Sequence, residues 1–292
     1  MAAMRQRQTI GTAVFGAAMT LAAAAAWAAP PCPAGALGTA RTQQINTGSG
    51  AAIGLKTYPR TLDLAEREVV LTFDDGPLPG TTARVLDALA AECVKATFFL
   101  VGRNAQANPE LVRREVAQGH TVGHHTFSHP SLTLRGLGDA AARADIERGF
   151  AADDVAAYGS YGTEPRVKFF RFPGFGDTSP LLAALAGRGV TVFGADFWAS
   201  DWLPLSPQAE LALVLGRLES EGRGIVLFHD TKASTAAMLP AFLRALKARG
   251  FRVVHLVPGE AATPVRAAPA GWVSETARTL ARMWPRGLPG RE

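Results

Sequence analysis

Val69-Val70-Leu71-Thr72-Phe73-Asp74-Asp75-Gly76-Pro77 is an apolar run that ends in two carboxylates and a Gly-Pro turn. The run predicts a strand over 69–73, and helical spacing follows over 81–93 through Val85, Leu86, Leu89 and Ala90. The alternation then repeats. Strands are predicted over 97–101, 120–124, 167–172, 190–195, 224–228 and 251–257. Helices are predicted over 109–118, 139–157, 179–186, 207–220 and 236–248, with Pro109 in a first turn and Gly119 just past an end. Helices alternating with β-branched apolar runs imply parallel strands with right-handed crossovers. The expected fold is α/β, a barrel of seven to eight strand–helix units over 68–258 that forms a single catalytic domain. An open doubly wound sheet is the alternative, and no GxGxxG follows the first strand to support a dinucleotide site.

On either side of this region the pattern changes. Residues 29–67 mix Gly, Thr and Pro with little periodicity and are expected to wrap the surface. The tail, 259–292, is rich in Pro, Ala and Arg, and its amphipathic stretch at 272–284 could dock or stay mobile. At the start, Arg5 and Arg7 precede an uncharged, Ala-rich run over 10–29 that ends in Ala26-Trp27-Ala28. Those features describe a signal peptide over 1–28 and export to the periplasm or the exterior. An uncleaved anchor is the weaker reading, because Ala is weakly hydrophobic and no flanking charge marks a stop. Pro30-Pro31 ahead of Cys32 does not resemble a lipid-anchor signal.

A chain of 292 residues can bury a core, and its apolar content excludes global disorder. The formal charge of +5 loses two with Arg5 and Arg7. What remains is mildly basic and dispersed, with no basic run carrying interleaved aromatics, so nucleic acid is not an expected partner. No stable protein partner is expected either. Cys32 and Cys93 leave two readings open, a bridge in an oxidising compartment or a buried free thiol at Cys93.

Chemistry concentrates at the C-terminal ends of the predicted strands, where a barrel carries its reactive groups. Asp74-Asp75, His125 and His129, Arg171, Asp201 and His229-Asp230 all fall there, and four of the six histidines lie between 120 and 129. Adjacent side chains on an extended backbone point opposite ways, so one ion does not readily take both carboxylates. One ligand and one free acid are expected. His125 and His129, four apart, can face one ion if the segment coils helically. An Asp/His/His set leaves open positions on the ion; zinc suits it best, while cobalt, nickel or manganese are tolerated. His120 and His124 are expected to be structural. His229 is either a core-edge hydrogen bonder or an acid–base group, and the proton donor that a hydrolytic metal site needs favours the second.

These blocks resemble carbohydrate esterase family 4, the polysaccharide deacetylases with a NodB-homology domain, over 68–258. Thr72-Phe73-Asp74-Asp75-Gly76-Pro77 and His125-Thr126-Phe127-Ser128-His129-Pro130 match the first two family blocks in full. Arg171-Phe172-Pro173-Gly174, Asp201-Trp202 and Leu227-Phe228-His229-Asp230 resemble the other three, in order. The resemblance implies a distorted, partly open (β/α) barrel. It implies Asp74 as catalytic base, with Asp75, His125 and His129 binding one divalent ion. Arg171 would hold Asp74, the Gly174 amide would serve the oxyanion, and His229, oriented by Asp201, would be the general acid. Trp202 and Leu227 would wall an acetyl pocket. The implied reaction removes N-acetyl groups from N-acetylglucosamine units of chitooligosaccharide, peptidoglycan or an exopolysaccharide. An O-deacetylating esterase and a non-catalytic sugar-binding relative are the alternatives. The chain departs from the pattern twice. Gly174 stands where the family usually has an aromatic, which Phe175 would replace. Trp198 stands where it usually has Asp, and the nearest earlier acid, Asp196, suggests a longer loop.

Overall fold

Residues 32–283 are described by a computed structural model. The chain opens with β1 (Thr39–Asn46), β2 (Ala52–Ile53), β3 (Arg60–Leu62) and β4 (Glu68–Asp74). Next come α1 (Thr82–Ala91), β5 (Thr97–Leu100), α2 (Gly102–Ala107), α3 (Pro109–Ala117), β6 (Thr121–His124) and α4 (Asp139–Tyr158). They are followed by β7 (Phe169–Phe170), α5 (Ser179–Gly187), β8 (Thr191–Phe193), β9 (Phe197–Trp198) and α6 (Pro207–Glu221). The last elements are β10 (Gly224–His229), α7 (Ala233–Ala248), β11 (Arg252–Gly259), β12 (Val265–Ala267) and α8 (Glu275–Met283). Local chemistry sets several ends: Ser206 accepts from the amide of Ala209 to cap α6, and Thr178 caps α5 the same way.

All pairings in the main sheet are parallel, and β4 is its centre. It pairs with β10 along its length, with β11 at its start and with β5 at its end. From β5 the order continues through β6, β7 and β8 to β2. Residues 191–198 then change neighbours, pairing with β7 through β8 and with β10 through β9. Hydrogen bonds do not close the ring, because β2 takes the outer edge of β8. The approach at that edge is tight: a Cβ on Gly54, at φ +118°, would lie 2.5 Å from the carbonyl carbon of Gly194.

The period-2 geometry of β4 divides its side chains between two faces. Val69, Leu71 and Phe73 face the outer helices, packing in one cluster with Leu86 and Leu89 of α1 and Leu239 and Phe242 of α7. Val70 faces inward with Phe99, Phe169, Phe193 and Ile225. Thr72 and Asp74 follow on that inward face and meet a fully buried arginine. Each fully buried Val, Leu, Ile or Phe in the two apolar clusters contributes about 1.5–3 kcal/mol. The sheet alternation thereby carries Asp74 into the barrel at the strand's C-terminal end.

Residues 29–67 do more than wrap the surface. They supply β1, which pairs with β11 from Thr39 to Asn46, as well as β2 and β3. The strand is hidden in sequence because its half-buried positions are Thr39, Arg41, Gln43 and Asn46, and Arg41 is held by two hydrogen bonds to Glu68. A Cys32–Cys93 disulfide, Cα atoms 5.7 Å apart, ties this segment to the turn after α1. The bridge is thus the reading the structure adopts. The segment expected to be a signal peptide, 1–28, and the last nine residues lie outside the described residues. No described helix is long and apolar enough to cross a membrane.

Candidate metal centre and active site

Arg171 fixes Asp74. Its Nη1 donates to Asp74 Oδ1 at 2.6 Å and to Thr72 Oγ1 at 2.9 Å, while Nη2 donates to the Gly194 carbonyl at 2.8 Å. The guanidinium also lies over the Phe99 ring, 4.3 Å from its centroid. Burial pushes the Asp74 carboxyl above its ordinary range, and Arg171 opposes that push.

Asp75 follows the end of the strand at φ +78°, and its carboxylate and that of Asp74 both approach His125 Nε2. Its Oδ1 lies 3.6 Å from His125 Nε2 and 3.3 Å from His129 Nε2. Ligand bonds near 2 Å at tetrahedral angles separate donor atoms by about 3.3 Å. Asp75 Oδ1 is buried and has no hydrogen-bond partner among the described residues. His125 Nδ1 sits 2.7 Å from the Arg171 carbonyl and donates to it, so the lone pair on Nε2 faces the other two donors. Burial, with His129 beside it, lowers the His125 pKa to about 3, which leaves the neutral imidazole a metal requires. An orphaned carboxylate oxygen and two aimed imidazoles fit a divalent cation.

The two histidines do not converge on a helix, as the four-residue spacing suggested. Segment 125–129 is a loop, with Thr126 at φ +68° and His129 at φ +46°. It is held by hydrogen bonds from the Phe127 amide to the Asp145 carbonyl and from the His129 amide to Thr126 Oγ1.

His229 ends β10 level with Asp74 in the register. Asp201 grips it twice, accepting from the His229 amide at 2.6 Å and lying 2.7 Å from Nδ1. Burial disfavours a charged ring, but Asp201, with Asp75 and Asp74 adding to it, outweighs burial and raises the His229 pKa to about 9. Thr235 donates to Asp201 in turn.

Asp74, Asp75, His125, His129, Gly174, Trp202, Leu227 and His229 line one cavity of about 390 Å³. Arg171 and Asp201 lie behind it, gripping Asp74 and His229. Phe175 stands in the wall and stacks on Trp198, with ring centroids 6.1 Å apart. Asp196 accepts from the amides of Leu55 and Ile225 and from Thr61, pinning three segments together. His124 is a core residue between Asp153 and the Val167 carbonyl, and His120 accepts from the Ala96 amide. Sequence reasoning missed Lys232, Thr276, Thr279 and Leu280 in the cavity wall. No local motif marks them.

A family model described as polysaccharide deacetylase matches residues 62–193. A chitooligosaccharide deacetylase of Sinorhizobium fredii is 35% identical over 215 residues, spanning 69% of this chain and 95% of that protein. The chain belongs to the polysaccharide deacetylase family, carbohydrate esterase family 4. It is an enzyme of that family, a hydrolase of carbon–nitrogen bonds other than peptide bonds. A second family member, the peptidoglycan-N-acetylglucosamine deacetylase PgdA of Listeria monocytogenes, is 32% identical over 190 residues, 65% of this chain and 38% of that protein. The solved structure of the Bdellovibrio bacteriovorus peptidoglycan deacetylase Bd3279 aligns with a TM-score of 0.65 at 35% identity, over 75% of this chain and 59% of that one. Family membership also agrees with the architecture: a parallel sheet with its reactive side chains at the C-terminal strand ends.

Proposed function

We propose that this hydrolase removes N-acetyl groups from N-acetylglucosamine units of a polysaccharide or oligosaccharide, releasing acetate and a free amine. The observation that carries the reading is the convergence of Asp75 Oδ1, His125 Nε2 and His129 Nε2, all within 4.8 Å of one another, beside Asp74 and His229. Asp75, His125 and His129 would hold one divalent ion, with zinc the best match to an oxygen and two imidazole nitrogens. When bound, the ion supplies electrophilic polarisation of the acetyl carbonyl and lowers the pKa of water beside it.

The rest of the chemistry belongs to the chain. Asp74, held by Arg171 with one oxygen left toward the cavity, takes a proton from the attacking water. Gly174, at φ +55° on the cavity wall, presents backbone to the developing oxyanion. His229 enters protonated and gives its proton to the departing amine, which is a poor leaving group without it. Asp201 holds that ring by Nδ1 and so directs Nε2 inward. Trp202 and Leu227 border the space an acetyl methyl needs.

The named relatives act on chitooligosaccharide and on peptidoglycan, which supports an N-acetylated glycan as the substrate class here. The basic start with its Ala-rich run, and the disulfide, support export to the periplasm or exterior. Acetate release from a panel of N-acetylated glycans, with zinc supplied and then stripped, tests the reading. Release that depends on metal is expected. Release from acetylated xylan alone would transfer the site to ester hydrolysis.

A further inference from the structure

The tail returns to the rim of the cavity. Beyond the part of the chain that resembles the family, α8 places Thr276, Thr279 and Leu280 in the cavity wall, with Thr276 and Leu280 buried. It is clamped there by residues 55–57 of the lead segment. Trp272 Nε1 donates to the Leu55 carbonyl at 2.7 Å, and the amide of Thr276 donates to the Lys56 carbonyl at 3.0 Å. The hydroxyls of Thr57 and Thr276 lie 3.1 Å apart, and Lys56 forms an ion pair with Glu275.

Lys56 links this clamp to the site, because its Nζ also sits 5.4 Å from the centroid of the Trp198 ring. Trp198 occupies the position where the family resemblance calls for Asp. Its ring meets Trp202 edge-on at 5.6 Å, and its Nε1 is buried with no hydrogen-bond partner among the described residues. Two segments more than two hundred positions apart thus combine with an unusual Trp to build one side of the cavity. A glycan bound through an internal unit must leave the cavity in both directions. α8 stands in the cavity wall and is fixed there by several hydrogen bonds, so a chain extending past that wall would have to displace it.

We propose that α8, clamped by residues 55–57, is a specificity-determining wall that makes the enzyme favour short N-acetylated oligosaccharides and chain ends over interior units of a long polymer. The inference rests on the deacetylase reading above. The test is the ratio of kcat/KM for a long N-acetylated polymer to that for an N-acetylglucosamine tetramer, measured on the zinc-loaded full chain and three variants. Glu275→Ala loosens the clamp and Leu280→Ala opens the wall; each is expected to raise the ratio about tenfold. Thr279→Trp narrows the cavity and is expected to lower it. Because the ratio is taken within one preparation, partial loss of folded protein cancels. An unchanged ratio in all three variants, while the wild type releases acetate from both substrates, overturns the wall. Equal gains on both substrates from Glu275→Ala and Leu280→Ala overturn it too, since they describe a plug instead. No release from either substrate by the wild type removes the deacetylase reading and this inference with it.

Discussion

Asp74 and Asp75 are neighbours in sequence with different partners, and the strand ends between them. Asp74 stays on the inward face of β4, where Arg171 grips one oxygen; Asp75 turns off the strand at φ +78° and faces two imidazoles. Asp74→Asn and His229→Ala are each expected to cut kcat by about 10²–10⁴ while metal content is retained, as read by acetate release and zinc analysis on one sample. Arg171→Ala tests a different quantity. It leaves a buried carboxylate without its partner, and chemical denaturation is expected to register a loss of about 3–5 kcal/mol. At this scale the sequence was highly legible. The carboxylate pair, both histidines and His229 lie in short blocks whose chemistry reads directly, whereas the roles expected of Arg171 and Asp201 came from the family resemblance. Trp198 and Asp196 were not legible in the same way, because their roles depend on Lys56 and Leu55, which fold back from far upstream.

Among the elements, β4, β5 and β10 follow from apolar runs because strands buried on both faces need continuous hydrophobic sequence. The elements that escaped detection are those stabilised by contacts instead of pattern. β1 is polar and held by pairing to β11, β9 is two residues long, and the loop at 125–129 is bent by positive φ angles that no residue type there announces. One consequence concerns two buried histidines away from the candidate metal site, His120 just before β6 and His255 in β11. His255 Nε2 lies 2.9 Å from Thr121 Oγ1, and His120 accepts from the Ala96 amide. Burial, then the charge of Lys95, lowers their pKa values, to about 3 for His120 and about 4 for His255, from an ordinary 6.5. Depressed values mean that the unfolded chain binds protons more readily than the folded one. Their contribution to stability is therefore complete above pH 6.5 and declines as pH falls toward about 4. Melting temperature is expected to drop over that window, and His255→Gln is expected to flatten the drop. An equally steep profile in the variant would assign the effect to other groups.

At the scale of the whole molecule, the lead and the tail hold the site region together from outside it. The Cys32–Cys93 bridge closes a loop between positions 61 residues apart, linking the start of the described chain to the turn after α1. Cys32→Ser/Cys93→Ser is expected to cost about 2–4 kcal/mol in denaturant unfolding, with the metal site unchanged. The general architecture was readable because strand–helix alternation is a long-range pattern. The opening in the ring is not visible in that alternation and came only from the family resemblance, since it depends on β2 taking the edge of β8. Nor was the docking of α8, which hydrogen bonds to residues 55–57 decide.

The account depends most on whether Asp75, His125 and His129 bind one cation that the reaction needs. Zinc titration of chelated protein by calorimetry, with acetate release from an N-acetylglucosamine oligomer followed on the same sample, measures both. The expected result is one zinc per chain, activity restored at the same equivalence point, and loss of both in Asp75→Ala and in His129→Ala. Full activity in the chelated protein, or tight zinc binding that survives both substitutions, would contradict it.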